Sequence, residues 1–171
     1  TVRRDARDWA SDLARMTGGT YVHFGHDEDT VRVVRHGRTI DFSSFREGAA
    51  SIDEDLRRRD ITINSMAVPV QGLFDDGSCG QMLSEVAVFD PCSGLDDLAA
   101  HCIRITSKQS FQSDPLRMLR VFRFAATLDF FVHRDTLALI TRRRAWISRS
   151  APERVTHELN LIMGSERPHR V

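Results

Sequence analysis

The spacing of apolar residues changes near residue 108, and this change most constrains what the chain can fold into. Upstream, short apolar runs with β-branched residues are separated by turn residues, as in β-strands. Downstream, apolar residues recur with the period of an α-helix, about 3.6 residues. The sequence therefore predicts an α+β protein, with a sheet-containing part in residues 1–107 and an all-helical part in residues 108–171.

Local signals predict most of the individual elements. A first helix is predicted at residues 5–17, ended by Gly18-Gly19, and His36-Gly37 is typical of a hairpin turn. The predicted strands are 20–24, 30–34 and 38–42, and the predicted helices of the second part are 113–128, 134–146 and 150–163.

Other segments give weaker signals. Residues 43–56 are polar and are expected to be mobile, and residues 61–70 fit a helix or a strand equally well. Glycine and aspartate predict a loop at 71–81, within an unusually long connection that reaches residue 88. Residues 89–105 predict a turn, a short helix and a short strand.

Composition narrows the possible functions. The formal net charge is zero, which does not suggest general affinity for nucleic acid. Lys108 is the only lysine, and the arginine excess fits either coding bias or recognition of phosphate and carboxylate groups. No apolar run is long enough to cross a bilayer, and an odd number of cysteines without a CxxC pair favours the cytoplasm.

The segment SFQSDPLRMLRVFRFAA (110–126) supports two interpretations. Asp114 as N-cap and Pro115 as first helical residue would begin an amphipathic helix with a solvated basic face. Alternatively, Asp114 and Arg117 lie side by side and present acceptors next to donors. Cytosine and adenine match that order, whereas uracil and guanine reverse it, so the pair would select C and A. Arg120, one turn further on, would reach phosphates.

The segment DLRRRDITINSMAV (55–68) places arginines beside apolar residues. Arg57 is interpreted as a solvated rim residue. Arg59 would bind phosphate, while Asp60 and Asn64, four residues apart, would share a helix face and bind ribose hydroxyls.

These two segments, with GLDDL between them and SAPERVTHELNLIM (150–163) after them, occur in a specific order. Together they resemble the class II tRNA nucleotidyltransferases, or CCA-adding enzymes, and the related bacterial poly(A) polymerases. The resemblance extends from about residue 8 to about residue 168.

The resemblance implies a nucleotidyltransferase palm with a mixed or antiparallel sheet, followed by a helical neck. The implied reaction transfers CMP or AMP from CTP or ATP to an RNA 3′ end, with tRNA as the expected RNA, using two Mg²⁺ ions. Arg59 and Asp60 would bind triphosphate and ribose, Asp114 and Arg117 would select the base, and Arg120 would contact phosphate.

The sequence departs from the family at the metal site. No Asp-x-Asp precedes Thr20, and Asp27 and Asp29 are interpreted as a solvated turn, so the palm is expected to be incomplete at its N-terminus. Asp41 is either the third catalytic, metal-binding carboxylate or an ordinary exposed strand residue. One carboxylate holds Mg²⁺ poorly, so this stretch alone is expected to be catalytically weak or inactive.

Two other hypotheses compete with an enzyme. One is a non-catalytic nucleotide-binding or RNA-binding relative that has lost the metal site. The other is a plain α/β domain with a helical appendage, in which every arginine is a surface residue.

Overall fold

A computed structural model of the chain describes residues 5–23, 30–45, 48–70 and 87–165. The chain forms two compact units, Thr1–Asp55 and Leu56–Val171, here called the N-terminal and C-terminal units. The turn predicted at Asp27 and Asp29 and the loop predicted at 71–81 lie outside the described residues. Among the helices that the structure describes, none combines the length and apolar character needed to cross a membrane.

The N-terminal unit packs one helix on a three-stranded antiparallel sheet of order β1-β2-β3. Its elements are α1 (Ala6–Thr17), β1 (Thr20–His23), β2 (Thr30–Arg35) and β3 (Arg38–Ser43). Their shared core contains Ala10, Ala14, Val31 and Val33. The predicted helix, strands and sheet are confirmed.

Local chemistry explains the ends of these elements. The Asp5 carboxylate accepts the backbone N–H groups of Arg7 and Asp8 at 2.8 and 3.0 Å, which caps α1. The β2–β3 turn places His36 at φ 48° and Gly37 at φ 74°. Positive φ at both central residues matches the twist of a two-residue hairpin, so the predicted turn is confirmed.

Residues 43–56 are expected from the sequence to be mobile. That expectation is wrong for the last part of the segment, which forms most of helix α2 (Ile52–Arg57). Ser51 Oγ accepts the N–H of Glu54 at 3.2 Å, and the Glu54 carboxylate accepts the N–H of Ala50 at 2.7 Å. This is close to a reciprocal capping box, and Ser-x-x-Glu is its sequence signature.

The C-terminal unit is mainly helical. Its elements are a 3₁₀ turn (Thr62–Asn64), α3 (Gly94–Ala99), β4 (Cys102–Ile103), α4 (Ser110–Ser113), α5 (Arg117–Leu128), β5 (Phe131–Val132), α6 (Arg134–Arg143), a second 3₁₀ turn (Arg144–Arg149) and α7 (Pro152–Met163). The two short strands pair in parallel, which the sequence did not predict for β5. Buried residues from both sides of residue 107 form one core, with Ile61 and Ile103 packed beside Phe111 and Val121.

The helix predicted from residue 113 is interrupted. Asp114 is extended, with φ −144° and ψ 101°, and regular helix resumes only at Arg117. The Asp114 carboxylate accepts the N–H of Leu116 at 3.1 Å, so it caps a tight turn that leads into α5. The prediction that Pro115 is the first helical residue is therefore wrong by two positions.

Candidate nucleotide-binding site

The segment that contains Arg59 and Asp60 is fixed by backbone pairing. The N–H of Thr62 donates to the carbonyl of Arg104 at 2.9 Å, and the N–H of Thr106 donates to the carbonyl of Asp60 at 3.3 Å. Ile61, between them, is fully buried in the core. The polar residues of this segment are thus held at the surface of a packed core.

Asp60 forms an ion pair with Arg120 of α5. Nε and Nη2 of Arg120 donate to Asp60 Oδ2 at 2.8 and 2.6 Å, and the Asp60 side chain is only 9% exposed. Burial raises the pKa of the Asp60 carboxyl, but the Arg120 guanidinium and hydrogen bonds from Ile61 and Asn64 outweigh it, so the pKa lies below its usual value. Asp60 is therefore held as a carboxylate.

Asn64 lies beside this pair. Its amide Nδ2 is 3.5 Å from Asp60 Oδ1, and Arg59 Nη1 donates to its backbone carbonyl at 3.3 Å. The sequence suggested that a helix would bring Asp60 and Asn64 together. The structure brings them together through the 3₁₀ turn Thr62–Asn64.

Asp114 and Arg117 have partners on different segments. Arg117 Nη1 donates to the carbonyl of Arg58 at 2.8 Å and to the hydroxyl of Ser110 at 3.1 Å. Asp114 Oδ2 accepts from Arg154 Nη2 of α7 at 3.1 Å. The structure thus brings Arg117 to the segment DLRRRDITINSMAV (55–68). Joint base selection by Asp114 and Arg117 stays a prediction.

Glu158 of α7 is a site residue that the sequence interpretation missed. It is 5% exposed, its Oε2 accepts from Arg123 Nε at 2.7 Å, and its Oε1 lies 3.8 Å from Arg120 Nη1. A buried carboxylate therefore faces the side of Arg120 away from Asp60. Only tertiary packing shows this, because Glu158 is 35 residues from Arg123 along the chain.

A second missed group connects the segments ITIN and GLDDL. Asp97 is 4% exposed, and its Oδ2 accepts from the Thr62 hydroxyl at 2.7 Å. Its two oxygens also accept from Arg104 Nε at 3.1 and 3.0 Å. GLDDL is among the segments that resemble the family, but no role was predicted from the sequence for Asp97. The position of GLDDL in the order of those segments was the signal that could have pointed to this residue.

Thr62→Val in the intact protein is expected to lower the free energy of unfolding by about 2 kcal/mol, because it removes a hydrogen bond to a buried carboxylate. Urea unfolding measures this change. Thr127→Val is the matched control, since Thr127 is exposed and the same substitution there should have little effect. Equal effects of the two substitutions would contradict a special role for the Thr62–Asp97 contact.

Gly94 allows α3 to approach the 3₁₀ turn. A Cβ at position 94 would lie 2.4 Å from the carbonyl oxygen of Thr62 and 3.0 Å from Met66 Cγ. The Asp90 carboxylate fixes the approach by accepting the N–H groups of Gly94 and Leu95 at 2.7 and 2.9 Å. Those bonds outweigh the effect of burial and lower the pKa of Asp90.

Asp41 lies in the N-terminal unit on β3, directly opposite Arg32 of β2. Nε and Nη2 of Arg32 donate to its two oxygens at 2.6 and 2.8 Å, and this contact lowers the pKa of Asp41. In the described ranges no cluster of three histidine, cysteine, aspartate or glutamate side chains could hold a metal ion. The metal-binding role of Asp41 stays a prediction.

Two known protein families match this chain. The Poly A polymerase head domain matches residues 5–104, and the family described as "Probable RNA and SrmB- binding site of polymerase A" matches residues 129–171. The chain therefore resembles a poly(A) polymerase head in its first part and that family's probable RNA-binding site in its last part. The chain belongs to the class II tRNA nucleotidyltransferase and poly(A) polymerase family, as its motifs predicted.

Two curated relatives have specific names. The CC-adding tRNA nucleotidyltransferase of Geobacter sulfurreducens is 37% identical over 161 residues, covering 93% of this chain and 34% of the relative. The CCA-adding enzyme of Coxiella burnetii is 36% identical over 132 residues, covering 75% of this chain and 31% of the relative. The chain thus spans about a third of the length of these relatives.

Solved structures confirm the predicted fold class. A tRNA-processing enzyme with CTP superposes with a TM-score of 0.78 at 32% identity, covering 96% of this chain and 43% of that chain. A tRNA nucleotidyltransferase complexed with a primer tRNA and an incoming ATP analog gives 0.77 at 30% identity, with 96% and 46% covered.

Proposed function

We propose that the intact protein is a template-independent RNA nucleotidyltransferase of the cytoplasm. It transfers CMP or AMP from CTP or ATP to an RNA 3′ end, with tRNA as the substrate, and releases pyrophosphate. One observation carries the proposal. Arg117 and Arg120 of α5 reach the Arg58 carbonyl and the Asp60 carboxylate, which lie 59 and 60 residues away in sequence. Two family motifs therefore converge on one side-chain cluster.

The cluster supplies the groups that a nucleotide needs. Arg59 offers a guanidinium for phosphate oxygens. The Asp60 carboxylate and the Asn64 amide offer an acceptor and a donor for ribose hydroxyls. Arg120 is 34% exposed, so it can contact a phosphate while it holds Asp60. These roles follow from the chemistry of each group and its place in the cluster.

Asp114 and Arg117 are proposed to select the base. Both are partly buried at the start of α5, where a carboxylate and a guanidinium offer an acceptor and a donor. That combination complements the pairing edges of cytosine and adenine and opposes those of uracil and guanine.

Asp114→Ala and Arg117→Ala in the intact protein are expected to abolish the preference for CTP and ATP over UTP and GTP. A bidentate contact to a base discriminates by about 1–3 kcal/mol, so the expected loss of selectivity is about 5-fold to 150-fold. Competition binding with all four nucleotides measures it.

Gln112→Ala is the control for this experiment, because Gln112 is exposed and lies two residues before Asp114. It should retain the preference. Equal binding of the four nucleotides by the unsubstituted intact protein would reject base selection by this pair.

A non-catalytic nucleotide-binding relative is the second candidate function, and the pairing of Asp41 with Arg32 favours it. Incubating the intact protein with tRNA that lacks its 3′ end and with each labelled nucleotide separates the two. Incorporation of CMP or AMP supports the enzyme, whereas selective binding without incorporation supports the second candidate.

A further inference from the structure

A pocket of about 430 Å³ in the C-terminal unit lies outside the cluster described above. It is open to solvent between residues 104–108 and helix α6. Thr136 on its lining is 1% exposed, and its hydroxyl accepts the N–H of Ile105 at 3.3 Å. This hydrogen bond ties the two sides of the pocket together, and the volume is within the range of about 300–1,000 Å³ typical of ligand sites.

The charges that line the pocket favour an anion. Arg104, Lys108 and Arg142 are cationic, and Asp135 is the carboxylate among the lining residues. The charge of Arg104 is already balanced by an ion pair with Asp97, with Arg104 Nε 3.0 Å from Asp97 Oδ2. Asp135 is exposed and forms an ion pair with Arg134, with Arg134 Nε 3.7 Å from Asp135 Oδ1.

Lys108 and Arg142 supply the remaining positive charge. Both are exposed, and in the described ranges neither is hydrogen-bonded or ion-paired. A phosphate group would satisfy both, since guanidinium and ammonium groups bind its oxygens by charge-assisted hydrogen bonds.

The position of the pocket favours RNA over a free nucleotide. Residues 104 and 106 pair with Thr62 and Asp60 through the backbone, at 2.9 and 3.3 Å. Thr106 also lines the pocket, and its hydroxyl donates to the Arg59 carbonyl. The pocket thus lies one chain segment away from the residues proposed to bind the incoming nucleotide. An extended polyanion can occupy both places at once.

We propose that Lys108 and Arg142 bind a backbone phosphate of the RNA substrate in this pocket. The inference rests on the proposed function, because it assumes an RNA whose 3′ end lies at the Arg59–Asp60 segment. It gives Lys108, the single lysine of the chain, a role in binding RNA and not in selecting the nucleotide.

The first test measures binding of the intact protein to an RNA hairpin with a single-stranded 3′ end. The double variant Lys108→Ala/Arg142→Ala is expected to bind about tenfold more weakly, with a salt-dependence slope smaller by about 1. Binding of CTP and ATP should not change.

Arg143→Ala is the matched control, because Arg143 is also on α6, is exposed and does not line the pocket. It should leave the affinity for RNA unchanged. An equal loss in this control would indicate diffuse attraction and overturn the proposal, as would unchanged binding in the double variant.

The second test uses Lys108 as a reporter. Acylation of lysine in the intact protein, measured on the peptide that contains Lys108, is expected to slow several-fold with the RNA hairpin and to be unaffected by CTP or ATP. Protection by CTP or ATP alone would assign the pocket to the triphosphate and overturn the RNA assignment. Absence of protection by RNA would also overturn it.

These results are distinguishable from failure of the proposed function. Nucleotide preference is measured without RNA, and protection of Lys108 is measured without nucleotide. RNA-specific protection together with equal binding of all four nucleotides would support the pocket and reject base selection. Selective nucleotide binding without protection of Lys108 by RNA would support base selection and reject the RNA-binding role of the pocket.

Discussion

Gly94→Ala in the intact protein is expected to lower the free energy of unfolding by about 3 kcal/mol and to weaken CTP binding. The added Cβ would lie 2.4 Å from the carbonyl oxygen of Thr62, and a backbone atom cannot move aside as a side-chain end can. Separation of α3 from the 3₁₀ turn Thr62–Asn64 would shift Asn64, which ends that turn, and Asp60, which lies two residues before it. Urea unfolding and CTP titration measure the two effects.

Gly48→Ala separates this steric effect from loss of glycine flexibility. Gly48 has φ +70°, and among the described residues no atom beyond its chain neighbours lies within 4 Å of an added Cβ, so the cost of the substitution is conformational, about 1 kcal/mol. It should leave CTP binding unchanged. If Gly94→Ala were no more destabilising than Gly48→Ala, the close approach of α3 to Thr62 would not hold in solution.

The sequence predicted those parts of the fold that depend on neighbouring residues. The β2–β3 hairpin was recognisable because His36-Gly37 has the turn chemistry that a two-residue connection requires. Helix α2 was missed although Ser51 and Glu54 have capping-box spacing, since the surrounding polar residues suggested a mobile segment. The pairing of β4 with β5 involves two residues on each strand, too few for any periodicity.

The predicted boundary at residue 107 follows the change from strand-like to helical pattern. The core of the C-terminal unit does not stop there, because Ile61 and Ile103 pack with Phe111 and Val121. Along the sequence, the division into two compact units falls between Asp55 and Leu56. Periodicity reports the type of element, whereas a core depends on which elements pack together. The division at 107 stays a prediction about functional regions.

The sequence suggested a set of candidate site residues but not the contacts between them. Motif order placed Arg59, Asp60 and Arg120 in one nucleotide site. The ion pair between Asp60 and Arg120 joins residues 60 positions apart, and no local pattern encodes such a pairing. Glu158, which lies on the other side of Arg120, was missed for the same reason.

Arg120→Met is expected to lower the free energy of unfolding at neutral pH by about 3 kcal/mol, because it leaves the Asp60 carboxylate buried without its cation. Asp60→Asn should cost less, about 1 kcal/mol, since Arg120 remains one-third exposed and Glu158 Oε1 lies 3.8 Å away. The double variant should therefore be more stable than Arg120→Met alone. Urea unfolding of the intact protein measures this double-mutant cycle.

The difference should depend on pH in a defined direction. The pKa of Asp60 is below its ordinary value in the folded protein, so its stabilising contribution is present above the unfolded-state pKa of about 3.9. That contribution is lost as pH falls through the lower folded-state pKa. The stability gap between the unsubstituted protein and Arg120→Met should accordingly shrink in acid. A gap independent of pH would show that Arg120 stabilises the protein by packing and not by holding the carboxylate. A cost for Asp60→Asn as large as that for Arg120→Met would contradict the expected difference between a buried unpaired carboxylate and a partly exposed guanidinium.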